Sequence, residues 1–195
     1  MDPINLIVGL NLLISVSANI SGAKRGMKTK VTGALERPKT YLQKMPPNVA
    51  AVVFILLTLA IFKIGTLGEE FEKQYFTVRI IGMVVFLIFS WLQVLSFKSL
   101  GKSYSQDIVV FKNQKLCTSG LYKFIRHPQY LSQILSDLGA GIALLGYVAL
   151  PIIVLVEIPL FILRASAEDR LLANRFGDEF KNYKKHSGFM LPFIG

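Results

Sequence analysis

The chain alternates long apolar runs with short basic connections. Apolar residues dominate Ile4 to Ile20, Val49 to Leu67, Ile80 to Phe97 and a final stretch from Tyr130 to Leu163. The first three have the length of membrane-crossing helices. The last would make a single helix of roughly 51 Å, well past a hydrocarbon core of about 30 Å. Gly146 near its middle and Pro151 soon after predict a tight turn and the first turn of a new helix. The stretch should therefore fold as a hairpin with arms of about 16 to 18 residues. The pattern predicts an all-α integral membrane bundle of about five transmembrane helices, the last two a tight hairpin, with a cytoplasmic C-terminal helix.

Basic residues set the expected orientation. Seven lie between the first two runs (Lys24, Arg25, Lys28, Lys30, Arg37, Lys39, Lys44) and six precede the hairpin (Lys98, Lys102, Lys112, Lys115, Lys123, Arg126). Six more follow it (Arg164, Arg170, Arg175, Lys181, Lys184, Lys185), so nineteen of 22 fall on one side. Glu69, Glu70 and Glu72 mark the other side. Cytoplasmic loops are enriched in Lys and Arg, which places the N-terminus outside and puts the C-terminus and the 98–128 loop in the cytoplasm. Those two segments can then meet. Pro46-Pro47 marks the turn into the second span.

Composition narrows the function. Of 195 residues 52% are apolar and 17% charged, and the mean hydropathy is positive at +0.49, which favours lipid as solvent. Five spans leave no room for a separate soluble domain, so residues 1–195 read as one membrane domain. The start Met1-Asp2-Pro3 lacks the charged residues of a signal peptide, and the first run reads as a retained span. The net charge of +10 is dispersed among apolar runs, which argues against a nucleic-acid partner. One cysteine, Cys117, and two histidines, His127 and His186, give no metal-ligand spacing.

Polar residues inside the presumed spans are the candidates for chemistry. Gln129, Ser132, Gln133, Ser136 and Asp137 share one helical face, and Glu157 on the return arm lies at a depth similar to Asp137. Ionisable groups there cost a few kcal/mol unless they line a cavity or find partners. Gln133, Asp137 and Glu157 are therefore expected to line a substrate cavity, the alternative being buried, hydrogen-bonded packing groups. Pro159 should bend the last span. Arg164 and Glu168, one turn apart where that span leaves the membrane, form either a plain ion pair or a grip on a charged ligand. Gly139-Ala140-Gly141 lacks the strand context of a dinucleotide fingerprint and reads as helix packing, with Gly139 and Ala143 allowing close approach.

The second half, residues 98–195, carries a recognisable series. Leu100-Gly101-Lys102-Ser103-Tyr104-Ser105 is followed by Thr118-Ser119-Gly120-Leu121-Tyr122-Lys123 and Ile125-Arg126-His127-Pro128-Gln129-Tyr130. Past the hairpin come Glu168-Asp169, Phe176-Gly177-Asp178-Glu179-Phe180, Tyr183-Lys184-Lys185 and Leu191-Pro192-Phe193-Ile194. The combination resembles the isoprenylcysteine carboxyl methyltransferase family. The resemblance implies methyl transfer from S-adenosylmethionine, bound at the cytoplasmic face, to a lipophilic or lipidated acceptor drawn from the bilayer. It implies that Gly120, Leu121, Tyr122, Arg126, His127, Pro128, Tyr130 and Glu168 form the cofactor site, and that Arg164 and Glu168 orient the reacting groups. Ser132, Asp169 and Phe180 depart from the commoner Gly, Glu and Tyr. Two other readings stand beside it: a noncatalytic scaffold or lipid-binding protein, and a small transporter using Asp137 and Glu157 as a proton relay.

Overall fold

The computed structural model of the protein describes residues 2–28, 34–100, 105, 107–111, 115–192 and 194–195, with residues 19–28, 34–36 and 111 described by backbone alone. Lys30, Gly101 to Tyr104, Lys112 and Phe193 lie outside the described residues. The architecture is helical: α1 (Pro3–Lys28), α2 (Met45–Ile61), α3 (Glu69–Gln74), α4 (Phe76–Leu100), α5 (Pro128–Ala143), α6 (Ala149–Ile152), α7 (Ile158–Phe176) and α8 (Asp178–His186). Short strands β1 (Ala34–Glu36) and β2 (Val110–Phe111) pair antiparallel as a small ribbon outside the bundle, an addition to the expected pattern.

Among the described residues, three helical stretches are long and apolar enough to cross a membrane: Tyr41–Ile61, Phe76–Leu100 and Ala149–Phe176. The apolar part of α1, Pro3–Ala18, and the 16-residue α5 are shorter. Leu6, Leu10, Leu13, Ile55, Ile81, Val154 and Leu155 are exposed on helix surfaces, where only lipid makes so much apolar surface tolerable. The protein is integral to a membrane.

Asp2 starts α1 by accepting the backbone N–H groups of Ile4 (2.8 Å) and Asn5 (3.1 Å), the usual service of an aspartate at a helix N-terminus. Its other contacts reach α4. Arg79, 2% exposed, donates to both Asp2 oxygens (2.9 and 3.1 Å), to Asn5 (2.9 Å) and to the Ala143 carbonyl that ends α5 (2.9 Å). This fixes one end of the bundle. Toward its middle, the Asn11 amide donates to the Ser90 hydroxyl at 2.9 Å and accepts from Trp91 at 3.1 Å.

Helices α4 and α5 pack closely because small residues meet there. A Cβ on Gly139 would lie 2.6 Å from the Phe86 nitrogen, and one on Gly82 would lie 2.7 Å from the Ala143 nitrogen. The close approach expected of Gly139 and Ala143 is thus made against α4.

The expected hairpin forms. Leu145 takes a positive φ of 51°, Gly146 N–H donates to the Gly141 carbonyl at 2.9 Å, and Pro151 sits in the first turns of the return helix. Just before Pro159, where a bend was expected, Ile153–Glu157 is a π-helical turn between α6 and α7 within a helix that runs Ala149–Phe176. Pro159 cannot donate to the ladder, and the widened turn just before it absorbs that loss.

Candidate active site

At the end of the bundle opposite Arg79, the 120–128 loop, the end of α7 and the chain after α8 come together. Gly120 takes a φ of 60° to open a short turn over Gly120–Lys123, and Pro128 begins α5, where its missing N–H costs nothing. The C-terminal segment lies parallel to this loop. Gly188 N–H donates to Phe124 O (2.9 Å), Arg126 N–H to Gly188 O (2.8 Å) and His127 N–H to Phe189 O (3.1 Å). The Tyr183 hydroxyl donates to the Tyr122 carbonyl at 2.6 Å, tying α8 to the same loop.

Two cavities adjoin one another here. The first, of about 110 Å³, is lined by Tyr122, Arg126, His127, Tyr130, Glu168 and Tyr183 together with Asp107, Lys115 and Cys117. The second, of about 350 Å³, is lined by Gln43, Lys44, Asn48, Gln93, Gln133, Phe161 and Arg164. Tyr130, Gln129, Ser105 and Asp107 line both. Part of the second cavity's rim is held by the Gln43 side chain, which donates to Ile108 O (2.9 Å) and accepts from Ile108 N–H (2.8 Å), and by an Arg37 to Asp107 ion pair at 3.1 Å.

The wall between the cavities is one connected unit. Arg164 Nε donates to the Tyr130 hydroxyl at 2.7 Å, and that hydroxyl donates to Glu168 Oε1. Arg164, 3% exposed, also donates to the Leu42 carbonyl at 2.9 Å, and its Nε lies 3.5 Å from Glu168. Glu168 Oε2 lies 3.7 Å from His127 Nδ1, while His127 Nε2 pairs with Asp169 Oδ1 at 2.8 Å. The His127 ring stacks on Tyr130 with centroids 5.7 Å apart and meets the edge of Phe189 at 5.2 Å.

Asp169 holds a second partner. Arg126 Nε donates to its other oxygen at 3.0 Å, while the remaining Arg126 nitrogens donate to the carbonyls of Ser187 (2.5 Å) and Gly195 (3.0 Å). Arg126 therefore ties loop, helix and tail together, with each of its three nitrogens engaged by the protein. Burial pushes the Tyr183 phenol up to about 12 and raises Tyr122 well above its ordinary value, so the first cavity presents neutral hydroxyls.

Tyr122, Arg126, His127, Tyr130 and Glu168, expected together, do line one cavity, and Arg164 and Gln133 line the neighbouring one. Gly120, Leu121 and Pro128 line neither and instead shape the loop. Asp137 and Glu157, expected in a substrate cavity, also line neither of these two. The Gln133 amide, linked to Gln93 on α4, donates to Asp137 at 2.5 Å. Glu157, with no exposure, faces Asp137 in the interior. Asp169, Gln93 and Lys44 were not singled out for the site. Asp169 was legible as half of an acidic pair, and Gln93 as a polar residue inside an apolar run.

The sequence model of the isoprenylcysteine carboxyl methyltransferase family matches residues 80–174, from α4 to near the end of α7. A probable protein-S-isoprenylcysteine O-methyltransferase of Oryza sativa is 32% identical over 126 residues, covering 63% of this chain and 65% of that protein. The protein-S-isoprenylcysteine O-methyltransferase of Schizosaccharomyces pombe is 28% identical over 143 residues, covering 65% of this chain and 61% of its own length. A shorter match, 33% over 73 residues, joins 37% of this chain to 25% of methanethiol S-methyltransferase 1 of Bradyrhizobium diazoefficiens. The chain thus spans less than two thirds of the length of these relatives. The solved structure of the eukaryotic intramembrane Ras methyltransferase, an isoprenylcysteine carboxyl methyltransferase, has a like fold, with a TM-score of 0.59 and 22% identity over 76% of this chain and 52% of that one. In sequence over residues 80–174 the chain is similar to the isoprenylcysteine carboxyl methyltransferase family, and its helices are arranged as in the solved methyltransferase structure.

Proposed function

We propose that the protein is a membrane methyltransferase that takes its methyl group from S-adenosylmethionine in the first cavity and delivers it to a lipophilic acceptor in the second. An isoprenylcysteine carboxylate is the acceptor its relatives' names suggest. The observation that carries the reading is the shared wall, where Tyr130 joins Glu168 of one cavity to Arg164 of the other.

The lining suits such a donor. Aromatic rings of Tyr122, Tyr130, Tyr183 and His127 can face an adenine or a cationic sulfur, for which a ring face contributes roughly 0.5 to 2 kcal/mol. Glu168 and Asp107 can accept from hydroxyl or amine groups, and Lys115 can meet a carboxylate. When bound, the donor supplies an activated methyl on a sulfonium. The protein's own part is positioning. Lys44 and Arg164 draw an anionic acceptor carboxylate to the wall, and the buried phenol and helix packing around them limit water.

Lys44, Lys115, Arg126 and Arg164 line the cavities at this end, and the excess of Lys and Arg in the connections that carry them supports a cytoplasmic face for it. Incubating membranes that contain the protein with methyl-labelled S-adenosylmethionine and separating lipid from protein fractions tests activity and acceptor together. Label in an isoprenylcysteine acceptor is expected. No label in any fraction, with no thermal response to S-adenosylhomocysteine, would overturn the proposal.

A further inference from the structure

A carboxylate acceptor arrives without a proton, yet the wall between the cavities is built to take one. Tyr130 lines both cavities, and its hydroxyl donates to Glu168 of the first and accepts from Arg164 Nε of the second. Glu168 is the most exposed member of this unit, its side chain 24% exposed against 13% for Asp169 and 5% for His127, and it lines the first cavity. Beyond it stands His127, held on its far nitrogen by Asp169. The order is therefore phenol, carboxylate, imidazole: Tyr130 lines both cavities, and Glu168 and His127 line the donor side.

From this order we infer that the protein also methylates a protonated acceptor, a lipophilic thiol, with Tyr130 and Glu168 receiving its proton. In the step, the acceptor S–H proton passes to the Tyr130 oxygen while the Tyr130 proton passes to Glu168 Oε1. The acceptor sulfur forms a bond to the methyl carbon. The carbon–sulfonium bond breaks with its electron pair kept by the donor sulfur, so the cationic donor and anionic Glu168 leave two neutral thioethers and a protonated carboxyl. The proton then departs through the donor cavity.

Charge selects the thiol over an amine. Lys44 and Arg164 both line the acceptor cavity, where they repel an ammonium and favour the negative charge that develops on sulfur. A thiol, near 8.5 in the ordinary case, stays protonated at neutral pH, so it gains from a positioned acceptor for its proton.

The inference rests on the methyltransferase reading, and the test separates the two. Wild-type protein in neutral phospholipid vesicles is given S-adenosylmethionine with a long-chain alkanethiol, with dodecylamine, or with N-acetyl-S-farnesylcysteine. Thiol methylation at neutral pH with a solvent deuterium isotope effect, absent for the farnesylcysteine carboxylate, is expected. In Tyr130→Phe and Glu168→Gln the thiol rate should fall on the order of 100-fold and then climb with pH as free thiolate forms, whereas residual carboxylate transfer keeps a flat profile. Carboxylate methylation without thiol methylation overturns this inference and leaves the methyltransferase reading standing, as does methylation of the amine in place of the thiol. Thiol rates with no isotope effect, or unchanged pH profiles in both variants, remove Tyr130 and Glu168 as the proton's route. Failure with every acceptor overturns both.

Discussion

Arg164 and Glu168 occupy adjacent turns of α7, yet their partners come from elsewhere: Tyr130 on α5, His127 in the loop and the Leu42 carbonyl before α2. A simple surface pair would contribute only about 0.2 to 0.5 kcal/mol, too little to organise so much around it. Arg164→Ala and Glu168→Ala should each lower methyl transfer at least about tenfold, or about 1.4 kcal/mol of barrier, with the far-ultraviolet dichroism unchanged. Asp169→Asn should act differently. It frees His127 and Arg126 together, so calorimetry should show affinity for S-adenosylhomocysteine reduced roughly tenfold, with a smaller change in turnover at saturation. The gathering of Tyr122, His127, Tyr130 and Glu168 around one cavity was legible only through the motif series, because loop and tail meet only in three dimensions. Asp137 and Glu157 lie away from both cavities. Helical spacing puts Asp137 on the same face as Gln133 but about 6 Å farther along α5, and Gln133, which lines the cavity, donates to it.

Helix-level features followed from apolar runs and their punctuation. Gly146 and Pro151 predicted the hairpin, and Gly139 with Ala143 predicted a close helix contact, which proved to be with α4. The ribbon of β1 and β2 could not be read, since five residues in two separate connections carry no periodicity. Nor could the π turn, although Pro159 signalled that some adjustment was needed. Gly139→Ala places a methyl against the backbone of α4, where no side chain can give way. A loss of about 1 to 3 kcal/mol is expected, read as a lowered midpoint of thermal unfolding in detergent. Ala140→Gly, one position along, supplies the comparison.

Across the whole molecule, the bundle is fastened at both ends by buried arginines: Arg79 at one, Arg126 and Arg164 at the other. The Arg79 lock joins Asp2 to a residue 77 positions away, which sequence spacing cannot reveal. Burial alone would raise the Asp2 carboxyl, but hydrogen bonds from Arg79 and the backbone N–H of Asn5, with the Arg79 charge, outweigh it and hold the group below its ordinary value. The contribution to stability is therefore complete above about pH 4 and lost as pH falls through the folded value. Thermal unfolding of the wild type should weaken over that acid range. Asp2→Asn should lower stability at neutral pH and flatten the acid limb.

The phenol shared by the two cavities has one more consequence. Whatever occupies one side presses on the same Glu168, Tyr130 and Arg164 that the other side must find in place. Donor and acceptor affinities are then thermodynamically linked, and the factor by which a donor analogue alters acceptor binding must equal the factor read in the opposite direction.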